Sequence, residues 1–395
     1  MQDIFIVDGA RTASATFMGS FSDVSAVELG AVASKGALER SKVDPNLIDQ
    51  VVIGNVIQSS KDAGYLARHV ALKAGVPIDA PALTVNRLCG SGLQAVISIA
   101  QFLLLGDGSI GLAGGTENMT QAPYALRGGR AGFKYGTFPQ LEDTLWDSLY
   151  DTYIDCGMAI TAENLAEKFE LTRQQIDEYA LRSQTAARAA QKAGILAEEI
   201  VPVTIKDRKG NPIEVTQDEG IRDTTIESLA KLPARFKKGG VVTPGNASGI
   251  NDAAASVIVA TGDAVKEHSL KPIARILSWG IAGVPPEIMG FGPVPAIRQA
   301  LKKADLTLDD MSRIEVNEAF ASQYLAVEKE LGLDRNKTNV NGGAISIGHP
   351  LGASGTRVLL TLAYELRRNN FKYGVASLCI GGGQGIAAVI ENVAS

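Results

Sequence analysis

Cysteine, histidine and tryptophan are the scarce residues of this chain: three Cys, three His and two Trp in 395 residues. Three cysteines cannot build a disulfide framework, so the fold must rest on an apolar core, and the chain suits a reducing compartment. Cys and His are too scattered for a zinc site, with no C-x-x-C and no H-E-x-x-H, and no metal is expected. There is no basic block; the Lys237-Lys238 pair reads as a solvated turn. With 38 Lys plus Arg against 43 Asp plus Glu the net charge is −5, which argues against nucleic acid as a partner. No apolar run approaches the roughly 18 residues of a membrane span. The nearest, residues 93–105, is interrupted by Gln94, Ser98 and Gln101 and reads as a buried core helix. Met1 to Val7 is strand-like and lacks the basic region and cleavage site of a signal peptide. Val393-Ala394-Ser395 carries no peroxisomal or retention signal. A cytoplasmic protein without a membrane span is the expectation.

What is present points to a folded, divided chain. Hydrophobic residues make up 45% and charged residues 21%, which excludes a disordered chain. The length suggests two or three domains. Val51-Val52-Ile53, Ser109-Ile110-Gly111-Leu112, Ile314-Glu315-Val316 and Gly374-Val375-Ala376-Ser377-Leu378 read as buried strands. Helical patterns over 93–105 and 356–368 lie between them, and this alternation predicts an α/β sheet. An offset of 263 places Ala37-Leu38 on Ala300-Leu301 and Val51-Val52-Ile53 on Ile314-Glu315-Val316. In the same register Leu88-Cys89-Gly90-Ser91-Gly92 falls on Leu351-Gly352-Ala353-Ser354-Gly355. One offset serving several segments suggests duplicated halves. Residues 1–120 with 250–270 would form the first half and 271–395 the second. Residues 121–249 are more polar and read as an insertion hanging from the first half, a lid, ligand cover or oligomer contact. It contains one clear helix, over 172–193, with Thr172 and Gln175 as a capping box.

The candidate chemistry sits in glycine-rich segments. Cys89, in Asn86-Arg87-Leu88-Cys89-Gly90-Ser91-Gly92, stands just before a helix, whose dipole would lower the thiol pKa. The alternative is a buried structural Cys. Cys379 opens Cys379-Ile380-Gly381-Gly382-Gly383-Gln384-Gly385, either backbone amides aimed at an oxyanion or a tight strand-to-strand turn. No Gly-Lys-Ser/Thr follows, so a phosphate loop fits poorly. His349, before Pro350 on a Gly-rich loop at a helix start, is placed as a base or oxyanion donor, or is a satisfied structural His. Asn317, in Asn317-Glu318-Ala319-Phe320, could hold a water, orient the His or be a plain turn residue. His69, His268 and Cys156 read as structural or surface residues.

The chain resembles the thiolase family over nearly its whole length. The resemblance rests on residues 86–92, Gly114-Gly115-Thr116-Glu117-Asn118-Met119, residues 245–252, 317–320, 342–355 and 379–385, in the family's order. Leu141-Glu142-Asp143-Thr144-Leu145-Trp146 and Met158-Ala159-Ile160-Thr161-Ala162-Glu163-Asn164-Leu165 resemble the mitochondrial-type 3-ketoacyl-CoA thiolases. The resemblance implies two βαβαβαββ halves packed as a five-layered α/β/α/β/α structure with an inserted loop domain. It implies that Cys89 is the acylated nucleophile, His349 activates it and Cys379 exchanges the C2 proton of acetyl-CoA. Asn317 would hold a water that binds the second thioester oxygen with His349, and the amides of Cys89 and Gly381 would form the oxyanion hole. Ser248, Arg222 and Ser228 would contact CoA; Met158 and Phe320 would lie at the substrate pocket. Coenzyme A and acyl-CoA would be substrates, with no permanently bound cofactor.

Two departures stand out. Many short-chain members have a His before the matching Met where this chain has Gly157, leaving room for longer acyl chains. Ala13 replaces a frequent Pro, with little effect expected. Residues 126–136 resemble the family's tetramer-forming loop, which implies a tetramer built as a dimer of dimers. The rival readings are a ketoacyl synthase-like condensing enzyme, which usually pairs Cys with two His, and a non-catalytic acyl-CoA-binding scaffold. A cysteine protease drawn from Cys89, His349 and Asn317 leaves Cys379 and its glycines unexplained.

Overall fold

The apolar triplets of both end regions join one ten-stranded mixed sheet in the computed structural model, which describes residues 2–394. Met1 and Ser395, the outer ends of the two terminal segments discussed above, lie outside the described residues. The first half contributes β1 (Ile4–Arg11), α1 (Ala26–Ser41), β2 (Gln50–Gly54), α2 (Leu66–Ala74), β3 (Ala82–Val85), α3 (Ser91–Leu105) and β4 (Ile110–Asn118). The insertion carries α4 (Met158–Lys168) and α5 (Arg173–Lys192), and the chain returns as β5 (Asn251–Thr261). Then follow β6 (Ala274–Gly283), α6 (Pro293–Ala304), β7 (Arg313–Val316), α7 (Ala321–Leu331), α8 (Leu351–Asn369), β8 (Tyr373–Ile380) and β9 (Gln384–Asn392).

The strand order is β7-β8-β9-β6-β1-β5-β4-β2-β3, with Ala15–Thr16 beside β5. The seam is β1 against β6, pairing Ile4 to Ile6 with Ala274 to Ile276. The pattern is the same on either side: β2 and β4 are parallel, as are β7 and β8, while β4–β5 and β8–β9 are antiparallel. The 263 offset maps the first residue of β2 onto that of β7, and the first residue of β4 onto that of β8. One strand is not repeated. The counterpart of β3 is reduced to a single bridge between Ile314 and Thr338. The next residue, Asn339, has φ of 46°, and its side-chain amide replaces the ladder, donating to Val316 O and accepting from Val316 N.

Three apolar clusters define five layers. Val96, Ile99 and Leu103 of α3 share one core with Val358, Leu362 and Leu366 of α8. That core also takes Ala113 and Val257 from the first half-sheet and Ala376, Leu378 and Ile390 from the second. α1 and α2 cover the outer face of the first half-sheet through Val27, Leu38 and Val70 against Val51, Leu112 and Ile258. α6 and α7 cover the second through Ile297, Leu301 and Leu325 against Ile314, Val375 and Val389. The fold is thus α/β/α/β/α.

Both central helices begin earlier than their patterns suggested, α8 at Leu351 rather than Thr356. The glycines that read as loop are the contact surface. A Cβ on Gly355 would lie 2.2 Å from Leu93 N, and one on Gly92 would lie 2.7 Å from Thr356 N. Only hydrogen at these positions lets the helices cross so closely. The window Leu88–Leu105 does reach the length and apolarity of a membrane span, 18 residues at mean hydropathy 1.8, more than the interrupted run suggested. Here it is the core helix, largely buried between the half-sheets.

α5 starts at the expected cap, with Thr172 and Gln175 bonded reciprocally. This helix itself packs on the second half. Its buried stripe Ile176, Tyr179, Ala180 joins the core under α6 and α7, where Tyr179 stacks on Tyr324 at 4.0 Å. Tyr179 and Ser183 also donate to the buried Glu318 carboxylate, at 2.7 and 2.6 Å. The insertion thus packs on both halves: α5 lies on the second, beside the Asn317 segment, while Ile200 and Val203 join Phe21 and Leu29 of the first and Glu199 and Asp218 pair with Arg11.

Candidate active site

Two turns and one hairpin meet at the ends of α3 and α8. Leu88 adopts φ of 46°, a conformation unfavourable for a side chain of its size, and the turn delivers Cys89 two residues ahead of α3. Ser91 locks the turn: its hydroxyl accepts from Arg87 N at 2.8 Å and donates to Leu88 O at 2.7 Å. Arg87 reaches across the halves to Gln384 Oε1 at 2.9 Å. Cys89 is partly exposed and packs with Ile57, Met119 and Leu351. Leu351 lies two residues beyond His349, which brings the His loop to the same apolar nest.

Cys379 is fully buried near the end of β8. The hairpin between β8 and β9 turns through Gly382 and Gly383, at φ of 78° and 82°, so the glycines do make a tight turn. They also bring the Gly381 amide close enough to the Cys89 sulfur to favour its thiolate form. A Cβ on Gly381 would sit 3.1 Å from Leu88 and 3.3 Å from Met158 Sδ. Met289, Ala319, Met158 and Phe320 wall Cys379. The two cysteine sulfurs are close enough for Cys89 to raise the pKa of Cys379.

Burial dominates both thiols. It pushes Cys89 up to about 11, opposed by the Gly381 and Cys89 amides and aided by the Glu117 carboxylate. The helix-dipole argument pointed the other way, and desolvation outweighs it. Burial first, then Cys89, pushes Cys379 well above the usual thiol range. His349 is pushed down to about 3 by burial and by the Arg357 charge. All three groups are therefore neutral in the resting site, so a thiolate forms only as its proton is passed on.

The His349 ring is held in one tautomer. The Ser354 hydroxyl donates to Pro350 O at 2.8 Å and stands 2.6 Å from His349 Nδ1. With its one hydrogen committed to Pro350 O, Ser354 accepts from Nδ1–H, leaving Nε2 as the basic nitrogen. Asn251 accepts from His349 N at 3.2 Å and donates to Ala15 O, tying the loop to β5. Asn317 Nδ2 lies 3.4 Å from Nε2 and 3.5 Å from Nδ1. Beneath this arrangement the buried Glu117 carboxylate accepts from Val56 N, Ile57 N, Asn55 Nδ2 and Gly352 N. Burial lifts Glu117 to about 7 against those donors.

The structure therefore brings together Cys89, Cys379, Gly381, Met158 and Phe320, and beside them Asn317 with His349. Ser248 is close by: its N–H donates to Ala319 O at 3.0 Å, and Ala247 bridges Phe320. Arg222 and Ser228 lie exposed on the insertion. Among the described residues no hydrogen bond or packing contact ties either of them to the cysteines. His69 pairs with Asp62 at the surface and stacks on Tyr65. His268 is exposed at a helix end, and Cys156 is partly exposed on the insertion. Among the described residues no His/Cys/Asp/Glu group could hold a metal. Sequence reasoning missed Ser354, Asn251, Arg357, Glu117 and Met289 as site residues. Ser354 and Arg357 had a legible signal, being polar residues near the start of an otherwise apolar buried helix; Met289 had none.

The family model for the N-terminal domain of thiolase matches residues 4–263 and that for the C-terminal domain matches 270–392. The chain is 51% identical to the mitochondrial 3-ketoacyl-CoA thiolase of Homo sapiens over 394 residues, covering 100% of this chain and 99% of that protein. It is 48% identical to an acetyl-CoA acetyltransferase of Cupriavidus necator, covering 99% of this chain and 100% of that protein. The crystal structure of the human mitochondrial enzyme in complex with CoA superposes with a TM-score of 0.96 at 51% identity, covering 99% of this chain and 98% of that one.

Proposed function

This chain belongs to the thiolase family, and we propose that it interconverts a 3-ketoacyl-CoA plus CoA with an acyl-CoA plus acetyl-CoA. The observation that supports the reading is the meeting of two free thiols, Cys89 beside Leu351 and Cys379 walled by Met158 and Phe320, with Gly381 packed between Leu88 and Met158. A binding scaffold needs no such pair, and a ketoacyl synthase-like enzyme would place a His where Cys379 stands.

In cleavage, Cys89 sulfur attacks the 3-keto carbon while its proton passes to His349 Nε2. The amides of Cys89 and Gly381 stabilise the oxyanion. The C2–C3 bond breaks, its electron pair goes to C2, and the Cys379 thiol protonates C2 to release acetyl-CoA. CoA–SH then enters and gives its proton to the Cys379 thiolate. Its sulfur attacks acyl-Cys89, and the departing Cys89 sulfur takes back the proton held by His349. A water held by Asn317, together with His349, holds the thioester oxygen of acetyl-CoA where enolate charge develops. Ser248, on the loop paired with Phe320, supports the pantetheine arm, and Arg222 and Ser228 offer exposed polar groups to the nucleotide end.

Gly157 favours long acyl chains. A Cβ there would meet nothing closer than 3.7 Å, so the space beside Met158 is open. CoA-dependent cleavage is expected from about four to about sixteen carbons, with Gly157→His lowering the long-to-short kcat/KM ratio by about 10-fold. Steady-state rates on a chain-length series check this; cleavage confined to four carbons would overturn the long-chain reading, and no cleavage at all with CoA still bound would favour the scaffold.

The first half would comprise 1–120 with 250–270, the inserted loop domain 121–249, and the second half 271–395. Tyr135, Phe138 and Tyr153 stand almost fully exposed on the insertion, which supports assembly there into a dimer of dimers. Light scattering should then give about four times 41.5 kDa; a monomer mass would refute it. All three cysteines are free, which supports a reducing compartment and the cytoplasm. The human relative is named as mitochondrial, and recovery from an organelle fraction would refute the cytoplasmic reading.

A further inference from the structure

Arg357 is buried on α8, and among the described residues it forms no salt bridge within 4.0 Å. A buried guanidinium without an ion pair is costly, so packing alone is a poor reason for it. Its side-chain hydrogen bond runs from Nη2 to Asn317 Oδ1, at 3.4 Å. We propose that Arg357 is a positioning residue: its guanidinium fixes which way the Asn317 amide faces, and so turns the Asn317 NH2 group toward His349.

Guanidinium only donates, so the amide atom facing it must be oxygen. The other end of the same amide then faces the imidazole, at 3.4 and 3.5 Å. Flipping the amide would set its NH2 against the guanidinium and leave its oxygen toward the catalytic side. There it would repel the oxygen of a bound thioester, where enolate charge develops.

A second consequence follows from charge. Arg357 is the charged group that, after burial, holds His349 in its neutral form. Other groups face this loop from every side. Ser354 comes from α8, Asn317 and the carboxyls of Glu315 and Glu318 from β7 and its turn, and Asn251 from β5. Glu117 comes from β4 and Cys89 from the turn before α3, while Arg11 from β1 and Glu199 from the insertion act on Arg357 itself. Burial raises the Glu315 carboxyl and lowers Arg357, and Glu315 is the leading charge that opposes that lowering, although no salt bridge joins the two among the described residues.

This inference rests on the thiolase reading, because it assigns a purpose to the Asn317–His349 pair in the step at C2. The test uses the full chain and three variants. Arg357→Met should still acylate Cys89 from an acyl-CoA with a full burst but cleave a 3-ketoacyl-CoA about 30-fold more slowly at about pH 8. Its acid limb in kcat/KM should rise by about one pH unit, since His349 becomes easier to protonate. Arg357→Lys should keep the parent limb, and Arg357→Gln, which can still donate to Asn317 Oδ1, should keep most of the turnover while the limb rises. If Arg357→Met does not fold, the Lys and Gln limbs decide: separated limbs support the inference and coincident ones overturn it. Equal loss of acylation and turnover at every pH would mark Arg357 as a structural prop and overturn it as well. A parent that forms no acyl-enzyme defeats the functional reading itself, whereas an active parent with indistinguishable variants defeats this inference alone.

Discussion

Cys89→Ala is expected to lower turnover by at least about 10⁴-fold and to remove the acyl-enzyme entirely. The Gly381 amide lies close enough to this sulfur to favour its thiolate, and no neighbouring group can replace it: Cys379 is fully buried and Cys156 lies on the insertion. The turn is held by Ser91 rather than by the thiol, so the variant should melt close to the parent. The experiment pairs a rate measurement on a 3-ketoacyl-CoA with a melting curve. Substantial turnover in a folded Cys89→Ala protein would remove Cys89 from the chemistry.

The contrast between the neutral thiol and the sequence expectation is instructive. The helix start after Cys89 was legible, and so were the glycines, the capping box at Thr172 and the repeat that pairs α3 with α8. Desolvation was not, because it depends on Ile57, Met119 and Leu351 arriving from three separate segments. For the same reason Asn251 escaped notice: it is distant in sequence from His349 yet bonds its backbone. The placement of α5 against the second half was hidden because its stripe of Ile176, Tyr179 and Ala180 predicts burial but not a partner. The core helices were read short because Gly352 and Gly355 look like loop residues until the helix they must touch is in place.

Cys379→Ser should separate the two half-reactions. Acylation of Cys89 by an acyl-CoA expels a CoA thiolate, which needs no strong acid, so a burst of acyl-enzyme from acyl-CoA should persist. Protonation at C2 does require an acid of suitable strength, and a serine hydroxyl is far weaker than even a buried thiol. Turnover should fall about 10²- to 10⁴-fold, and exchange of the acetyl-CoA methyl protons with deuterated solvent should fall with it. Rapid-quench and exchange measurements together check this. Parent-like exchange in Cys379→Ser would assign the C2 proton to another group, with His349 first in line. Loss of the burst would instead make Cys379 part of the acylation step. The walls of the pocket, Met289, Ala319, Met158 and Phe320, are untouched by this substitution, so a change in KM alone would also count against the assignment.

The central claim is that an acyl group passes through Cys89. The most direct measurement is to mix the protein with an acyl-CoA in the absence of free CoA, quench in acid and map the modified peptide by mass spectrometry. The account predicts one acyl group per chain, on Cys89, discharged when CoA is added. An acyl group on Cys379 or Cys156, a label that CoA does not remove, or no label at all from a folded protein would contradict it.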